Sequence, residues 1–362
     1  MSEFSATDCR YMADAIRLAW RGRYGAHPNP RVGRVIVNGG AVVGRGYHRR
    51  VGEAHAEVNA LAEAGRDARG ADAFVTLEPC NHQGRTGPCV DALLGAGVRR
   101  VVAAMADPFP EVAGKGLERL AANGVDVSVG LLEAEARRIN EGYLSRLERG
   151  RPFVRLKIAA SLDGATAMRS GESRWITGSA ARRDVQRLRA MSGAVMTGIG
   201  TVLDDDPSLT VRDLEVPTQP LRVVLDSRLR MPAGARLFDT DGAILVCCAD
   251  DSAAAPLIGA GADIMLAAAD DGRVDVGAVL AELAACGVND VLVESGQTLA
   301  GQLLATGQVD ELVIYQAPHI MGSETRPMFA TAAWHALDDR LGLEVTDVRR
   351  LGNDTRITAR PV

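Results

Sequence analysis

A chain of 362 residues is more than twice the length of a typical domain, so two domains are the first expectation. Its 47% hydrophobic and 24% charged residues suit two packed globular cores, and a net charge of −5 argues against the basic track that a nucleic-acid-binding surface needs. The six cysteines, at positions 9, 80, 89, 247, 248 and 286, form no disulfide framework; no apolar signal core opens the sequence and no run reaches membrane length, so the cytoplasm is the expected compartment.

In chain order, Thr7 to Tyr24 reads as a helix with Met12, Ile16 and Ala19 on one face. The rigid loop His27-Pro28-Asn29-Pro30-Arg31-Val32-Gly33 leads into a strand over Arg34 to Val37. Asn-Gly-Gly at 38 to 40 predicts a hairpin turn, with the return strand at 41 to 44. Glu53 to Gly65 predicts a helix, Ala73 to Leu77 a strand, and Pro88 to Leu94 a second helix start with Pro in its first turn. Further strand and helix signals follow at Val101 to Ala104, Gly116 to Asn123 and Val125 to Ser128. A hairpin followed by alternating helices and strands implies an α/β sandwich built on a mixed sheet.

Arg146 to Pro152 (RLERGRP) is a short charged stretch with Gly and Pro, read as the domain boundary; the expected domains are 1–148 and 149–362. After it the rhythm restarts with a strand at Phe153 to Ala159, then Ser161-Leu162-Asp163-Gly164. Strands are expected near 194–197, 221–225, 243–247, 291–293 and 312–315, with a helix over Ala180 to Met191. This is a second α/β domain, mostly parallel at its start. Glycines gather after two of its strands, in Thr197-Gly198-Ile199-Gly200-Thr201 and Glu294-Ser295-Gly296-Gln297-Thr298. Such loops let backbone N–H groups approach phosphate, although ordinary turn glycine explains them equally well. The first is not the dinucleotide fingerprint, because Leu203 stands where the third Gly would be.

The chemistry concentrates in His55-Ala56-Glu57, Pro79-Cys80 and Pro88-Cys89. Catalytic zinc commonly takes three protein ligands and keeps a fourth position open, and His55, Cys80 and Cys89 supply such a set. Glu57 is then free to carry protons. H-x-E followed by P-C and a second Cys is the pattern of zinc nucleobase deaminases, in which water activated at the metal attacks a ring carbon bearing an amino group. Two helix starts facing one ion would also favour Cys89 as a thiolate. A purely structural zinc would want a fourth protein ligand, for which His82 is placed, and would leave Glu57 idle.

With both halves laid out, the sequence resembles the bifunctional deaminase/reductase family of riboflavin biosynthesis. The first half is similar through the segments 27–30, 44–48, 55–58 and 77–80, and through Gly84-Arg85-Thr86 between the two zinc cysteines. The second half is similar through 160–164, 171–177, 204–212 and Gln316-Ala317-Pro318. The resemblance runs over nearly the whole chain. It implies a cytidine-deaminase-like domain followed by a dihydrofolate-reductase-like domain. The first would remove the 2-amino group of a diaminopyrimidinone ribosylamino 5′-phosphate, and the second would reduce the ribosyl group to ribityl with NADPH.

On matching positions the resemblance implies zinc at His55, Cys80 and Cys89 and a proton shuttle at Glu57. It implies cofactor contacts at Ala159, Trp175, Thr201, Asp205 and Ser227 and along Gly296-Gln297-Thr298-Leu299-Ala300-Gly301-Gln302. Substrate contacts would be Ser173, Arg189, Leu209, Arg212 and Glu294, with the two Arg side chains suited to the 5′-phosphate. Lys157 is a candidate acid for the reduction, with ion pairing to Asp163 or Glu294 as the alternative. Asn81, Gln83, Gly87 and Arg34 depart from the family pattern around the deaminase pocket.

The expected partner is a small phosphorylated pyrimidine, with no nucleic acid and no membrane, and a homo-oligomer is expected. Two other readings compete: a nucleoside or tRNA deaminase with an inactive second domain, and a regulatory protein that keeps zinc as a clip.

Overall fold

The computed structural model describes residues 4–81 and 87–362. It divides into two compact units, Met1–Gly150 and Arg151–Val362.

The first unit begins with α1 (Ala6–Ala19), capped by Ser5 and Asp8, whose side chain and backbone groups exchange hydrogen bonds across the first turn. The β-strands β1 (Gly33–Asn38) and β2 (Ala41–Tyr47) form a hairpin whose turn places Gly39 and Gly40 at φ 56° and 79°, the left-handed values that the Asn-Gly-Gly sequence supplies. Then come α2 (Ala56–Ala64), β3 (Asp72–Val75), α3 (Cys89–Ala96), β4 (Arg100–Ala103), α4 (Lys115–Ala122), β5 (Asp126–Val129), α5 (Glu133–Ile139) and α6 (Glu141–Arg149). The sheet order is β2-β1-β3-β4-β5, antiparallel at the β1 pairings and parallel from β3 onward. One face packs on α1 and α6 through Tyr11, Met12, Val35, Phe74, Val102 and Leu144. The other packs on α2, α3 and α4 through Ile36, Ala60, Val75, Leu93, Val101 and Leu120. This is the expected mixed-sheet sandwich.

Two local readings are refined. The stretch Arg146 to Pro152, expected as the boundary, contains the division between Gly150 and Arg151, and Arg146–Arg149 complete α6, which buries Tyr143 and Leu144 and ends at Gly150, φ 67°. The charges of this stretch lie on the outer side of an amphipathic helix. The helix read over Thr7 to Tyr24 stops at Ala19 and tightens into a 3₁₀ turn over Trp20–Gly22.

The second unit contains β6 (Phe153–Ser161), β7 (Ala165–Met168), α7 (Ser179–Met191), β8 (Ala194–Gly198), α8 (Ile199–Asp205), β9 (Leu221–Leu225), β10 (Ile244–Cys248), α9 (Ala255–Gly259), β11 (Asp263–Leu266), α10 (Val276–Ala285), β12 (Asp290–Glu294), α11 (Gln297–Ala305), β13 (Glu311–Ala317), β14 (Thr325–Pro327), β15 (Leu343–Leu351) and β16 (Asp354–Pro361). Among the described residues its main sheet has nine strands in the order β11-β10-β9-β8-β12-β6-β13-β16-β15. Every pairing from β11 to β13 is parallel, and β16 and β15 close the sheet as an antiparallel hairpin.

The chain leaves β8 toward β9 on one side, and leaves β12 toward β13 on the other, across β6. That reversal opens a crevice at the carboxyl ends of β8 and β12, the usual ligand position in open parallel sheets. The closing hairpin gives little sequence signal because β15 is exposed at nearly every position. Among the described residues, no helix is long and apolar enough to cross a membrane.

Candidate active sites

The first site is built where α2 and α3 begin. Gly44 and Gly46 of β2 let α2 press directly on the strand: a Cβ at either would stand 2.2 Å from Ala60 O or 2.1 Å from Ala56 O. That approach sets His55 as the N-cap of α2, one residue before the first turn rather than within it, with Glu57 at the second helical position and 3% exposed. Pro88 caps α3 in the same way, so Cys89 rather than Pro88 is its first helical residue.

Cys80 arrives on the loop after β3, and Glu78 anchors that loop. Its buried carboxylate accepts backbone N–H bonds from Asp107 (3.0 Å), Gly114 (2.9 Å), Gly116 (2.9 Å) and Leu117 (3.4 Å), which ties the loop to the start of α4. Gly116 must be Gly there, since a Cβ would stand 2.3 Å from Pro79 O. Asn81, which departs from the family pattern, accepts from Arg119 Nη1 at 2.8 Å, and Arg119 also reaches Asp91 of α3 at 2.5 Å. The substitution thus adds a tie between the loop and two helices. Among the described residues, Gly87 has no atom within 4 Å of where a Cβ would stand. Gln83, Gly84, Arg85, Thr86 and the alternative ligand His82 lie outside the described residues.

His55 Nδ1 stands 3.3 Å from Cys89 Sγ and 3.7 Å from Cys80 Sγ, and the three ligand atoms all lie within 4.8 Å of one another. The backbone N–H of Cys89 donates to Cys80 Sγ at 3.4 Å. The thiol of Cys89 and the His55 ring hold the Cys80 thiol down to about 4, whereas the neighbouring Cys80 sulfur and burial push Cys89 up. The pair therefore shares a proton that a divalent cation would displace. One imidazole and two sulfurs at this spacing fit zinc with an open fourth position.

Two residues of this site carry no assignment from sequence alone. His48 packs edge-on against the His55 ring, centroids 5.3 Å apart, and its Nε2 is 3.1 Å from Asn29 Nδ2. Burial holds the His48 imidazole below its ordinary range. The signal lay in the Pro28-Asn29-Pro30 and Gly46-Tyr47-His48 segments, whose polar members neither match a metal-ligand spacing nor sit on a helix face.

The second site is a cleft of about 1080 Å³ at the carboxyl ends of β6, β8, β9 and β12. Ala159 of β6, Thr201 and Asp205 of α8, Ser227 after β9, and Trp175 line it. Gly296, Gln297, Thr298, Leu299 and Gln302 line it from the start of α11. Ala300 and Gly301 do not. Ala300 is fully buried in the core, and Gly301 faces the Ala330 carbonyl, where a Cβ would stand 2.1 Å away. A helix turns these two positions away from the face that 298, 299 and 302 present.

Ser173, Arg189, Leu209, Arg212 and Glu294 also line the cleft. Arg189 Nε and Nη2 donate to the two Glu294 carboxylate oxygens at 2.6 and 3.1 Å, and Nη1 donates to Thr210 O at 2.8 Å. Arg189 is thus paired with Glu294, and Arg212 lines the same cleft. Lys157 Nζ is 3.9 Å from Glu294, while Asp163 instead accepts from Ser161 and from the backbone of Met321 and Gly322. Burial works against ionisation of Glu294, yet Arg189 and Lys157 together hold it below the ordinary carboxylate range. Burial pulls Lys157 down as well, and Glu294 only partly restores it. Ser173 Oγ donates to Asp205 at 2.8 Å, and the Ser227 hydroxyl accepts from Val274 N at 3.1 Å.

Residues 5–105 match the cytidine and deoxycytidylate deaminase zinc-binding region, and residues 152–357 match the RibD C-terminal domain. The chain is 47% identical over 357 residues to the riboflavin biosynthesis protein RibD of Escherichia coli, covering 95% of this chain and 96% of that one. It is 42% identical to the RibD of Haemophilus influenzae, covering 100% and 99%. Among solved structures, Acinetobacter baumannii RibD superposes with a TM-score of 0.92 at 43% identity, over 98% of this chain and 99% of that one. A Thermotoga maritima diaminohydroxyphosphoribosylaminopyrimidine deaminase/5-amino-6-(5-phosphoribosylamino)uracil reductase gives 0.87 at 30% identity, with 98% and 99% covered.

Proposed function

Because the chain belongs to the RibD family of riboflavin biosynthesis, we propose from the two sites which of its residues carry the family's two reactions. It is a bifunctional enzyme: a zinc-dependent deaminase of a diaminopyrimidinone ribosylamino 5′-phosphate, and an NADPH-dependent reductase that converts the ribosyl group to ribityl. The convergence of His55, Cys80 and Cys89 beside a buried, unligated Glu57 carries the first assignment.

In the deaminase site His55, Cys80 and Cys89 would hold zinc, which would supply Lewis acidity and make water a better nucleophile. Glu57 is placed to take a proton from the attacking water and to pass it to the departing amine, which would leave as ammonia. His48, packed against the His55 ring, and Asn29, which meets His48, form a polar wall for the pyrimidine ring. Elemental analysis of the purified protein is expected to find about one zinc per chain; stoichiometric iron, or no metal after mild purification, would defeat the assignment.

In the reductase site NADPH supplies the hydride. The start of α11, with Gly296 as its cap, favours the anionic cofactor phosphates. Arg212 neutralises the substrate 5′-phosphate, and Lys157 provides the proton that must accompany the hydride, as a buried amine with a depressed pKa can. Arg228, beside Ser227 at the end of β9, reads the 2′-phosphate of NADPH. A charge-assisted bond of this kind is worth about 1.5–3 kcal/mol, so Arg228→Ala is expected to lower kcat/KM for NADPH roughly 10- to 100-fold and to change that for NADH little. Equal kcat/KM for the two cofactors in the wild type would refute the assignment.

The setting proposed is the cytoplasm, with a small phosphorylated pyrimidine as the partner. The net charge of −5 supports that choice over a nucleic acid. A homo-oligomer is proposed from the outer strand β15, which exposes Leu343, Val345 and Val348 on an unpaired edge.

A further inference from the structure

Arg34 is a charge under the zinc-centre helices to which neither reaction gives a role. On β1, Gly33 faces α1, since a Cβ there would stand 2.0 Å from Ala15 O. Strand alternation therefore turns Arg34 to the opposite face, together with Ile36, which packs in one cluster with Ala60 of α2 and with Val90 and Leu93 of α3. Its cross-strand neighbours are Val75 and Gly46, and the glycine leaves room for a long side chain. Arg34 is 0% exposed, and none of its three guanidinium nitrogens has a hydrogen-bond partner among the described residues.

A cation buried without hydrogen bonds is strongly disfavoured unless anions surround it. Burial depresses Arg34, and the groups that raise it again are Glu57, then Cys89 and Cys80. They are the anionic members of the zinc centre. Two thiolates and one carboxylate carry three negative charges and zinc carries two positive ones. Arg34 cancels the charge that remains.

Resting on the zinc-centre reading above, we propose that Arg34 is the counter-charge of this centre. It is a positioning residue that balances Glu57 and the two ligand thiolates through the field without touching substrate. Its presence at a position where the family usually carries a small residue then has a physical reason, as does the glycine beside it on β2.

The test is a double-mutant cycle on the zinc-loaded full chain: wild type, Arg34→Met, Glu57→Gln and the double variant. Zinc content is measured in each, and stability by denaturant unfolding. Arg34→Met alone is expected to lower the folding equilibrium constant at least ~10-fold, and adding Glu57→Gln is expected to recover at least ~10-fold of it. Arg34→Lys, which keeps the charge, is expected to stay near wild type. Additivity within about twofold, or Arg34→Lys behaving like Arg34→Met, would overturn the proposal and leave Arg34 as a space-filling side chain. If Arg34→Met yields no folded protein, the double variant decides: recovery of folded, zinc-bound chain supports the counter-charge, and no recovery overturns it. Stability is the readout, so a Glu57→Gln variant that still deaminates would defeat the proton-shuttle reading as a separate result.

Discussion

Replacing Glu57 by Gln is expected to lower deamination by about 10²–10⁴-fold, the usual worth of positioned acid–base help, while zinc stays bound. Glutamine keeps the shape and one carbonyl oxygen but cannot accept and return a proton. Glu57 sits at the second position of α2, 3% exposed, two residues after the N-cap ligand His55, so nothing bulk water supplies can replace it efficiently. It is not one of the three clustered ligands, and so metal content should not fall with activity. Reduction of a supplied deaminated intermediate should proceed at close to the wild-type rate, because every residue assigned to that step lies in Arg151–Val362. Ammonia release and NADPH oxidation, followed separately in one preparation, check both halves of this statement.

Arg189→Ala is the second large effect. Arg189 is 7% exposed and gives two hydrogen bonds to Glu294 and one to the Thr210 carbonyl. Removing one member of a buried, hydrogen-bonded ion pair leaves the other uncompensated, which costs about 3–5 kcal/mol. Glu294 would keep Lys157, 3.9 Å away, and the charge of Arg212, and a buried carboxylate so weakly compensated takes up a proton more readily. The lysine would then lose the anion that partly sustains its charge. Arg189→Ala is therefore expected to destabilise the second unit by about 3–5 kcal/mol and to remove most reduction, with deamination retained in whatever remains folded. Denaturant unfolding followed through the second unit measures the first effect. A loss under about 1 kcal/mol would mean that the pair behaves as an exposed one and that Arg189 is free to bind phosphate after all.

The architecture of the first unit was legible because its signals are local. Asn-Gly-Gly demands a tight turn, and H-x-E with two P-C pairs constrains where helices can start. The parallel half of the second unit was legible for a similar reason, since its strands are short apolar runs such as Leu221–Leu225. What sequence could not show was the direction in which each side chain points. Ala300 and Gly301 lie inside a segment that resembles a cofactor loop, and only the phase of α11 turns them into the core. Arg189 reads as suited to a phosphate, and its pairing with Glu294, 105 residues away, is not visible in the sequence. Arg34 shows the same limit: a charge in an apolar strand looks like an anomaly until Glu57, Cys80 and Cys89 are brought to one side of it. The strand β15 was missed for the opposite reason, because an exposed strand bordered by charges has no apolar alternation to detect.

The central claim is that one chain holds two chemistries at two separate sites, of which only the first needs zinc. The most direct measurement is NADPH oxidation by enzyme stripped of zinc with a chelator, supplied in turn with the diamino substrate and with the deaminated intermediate. Stripping is expected to abolish oxidation with the diamino substrate, adding zinc back to restore it, and oxidation with the deaminated intermediate to stay at the untreated rate throughout. Loss of both, in protein that is still folded, would contradict two separate sites and require a single composite one.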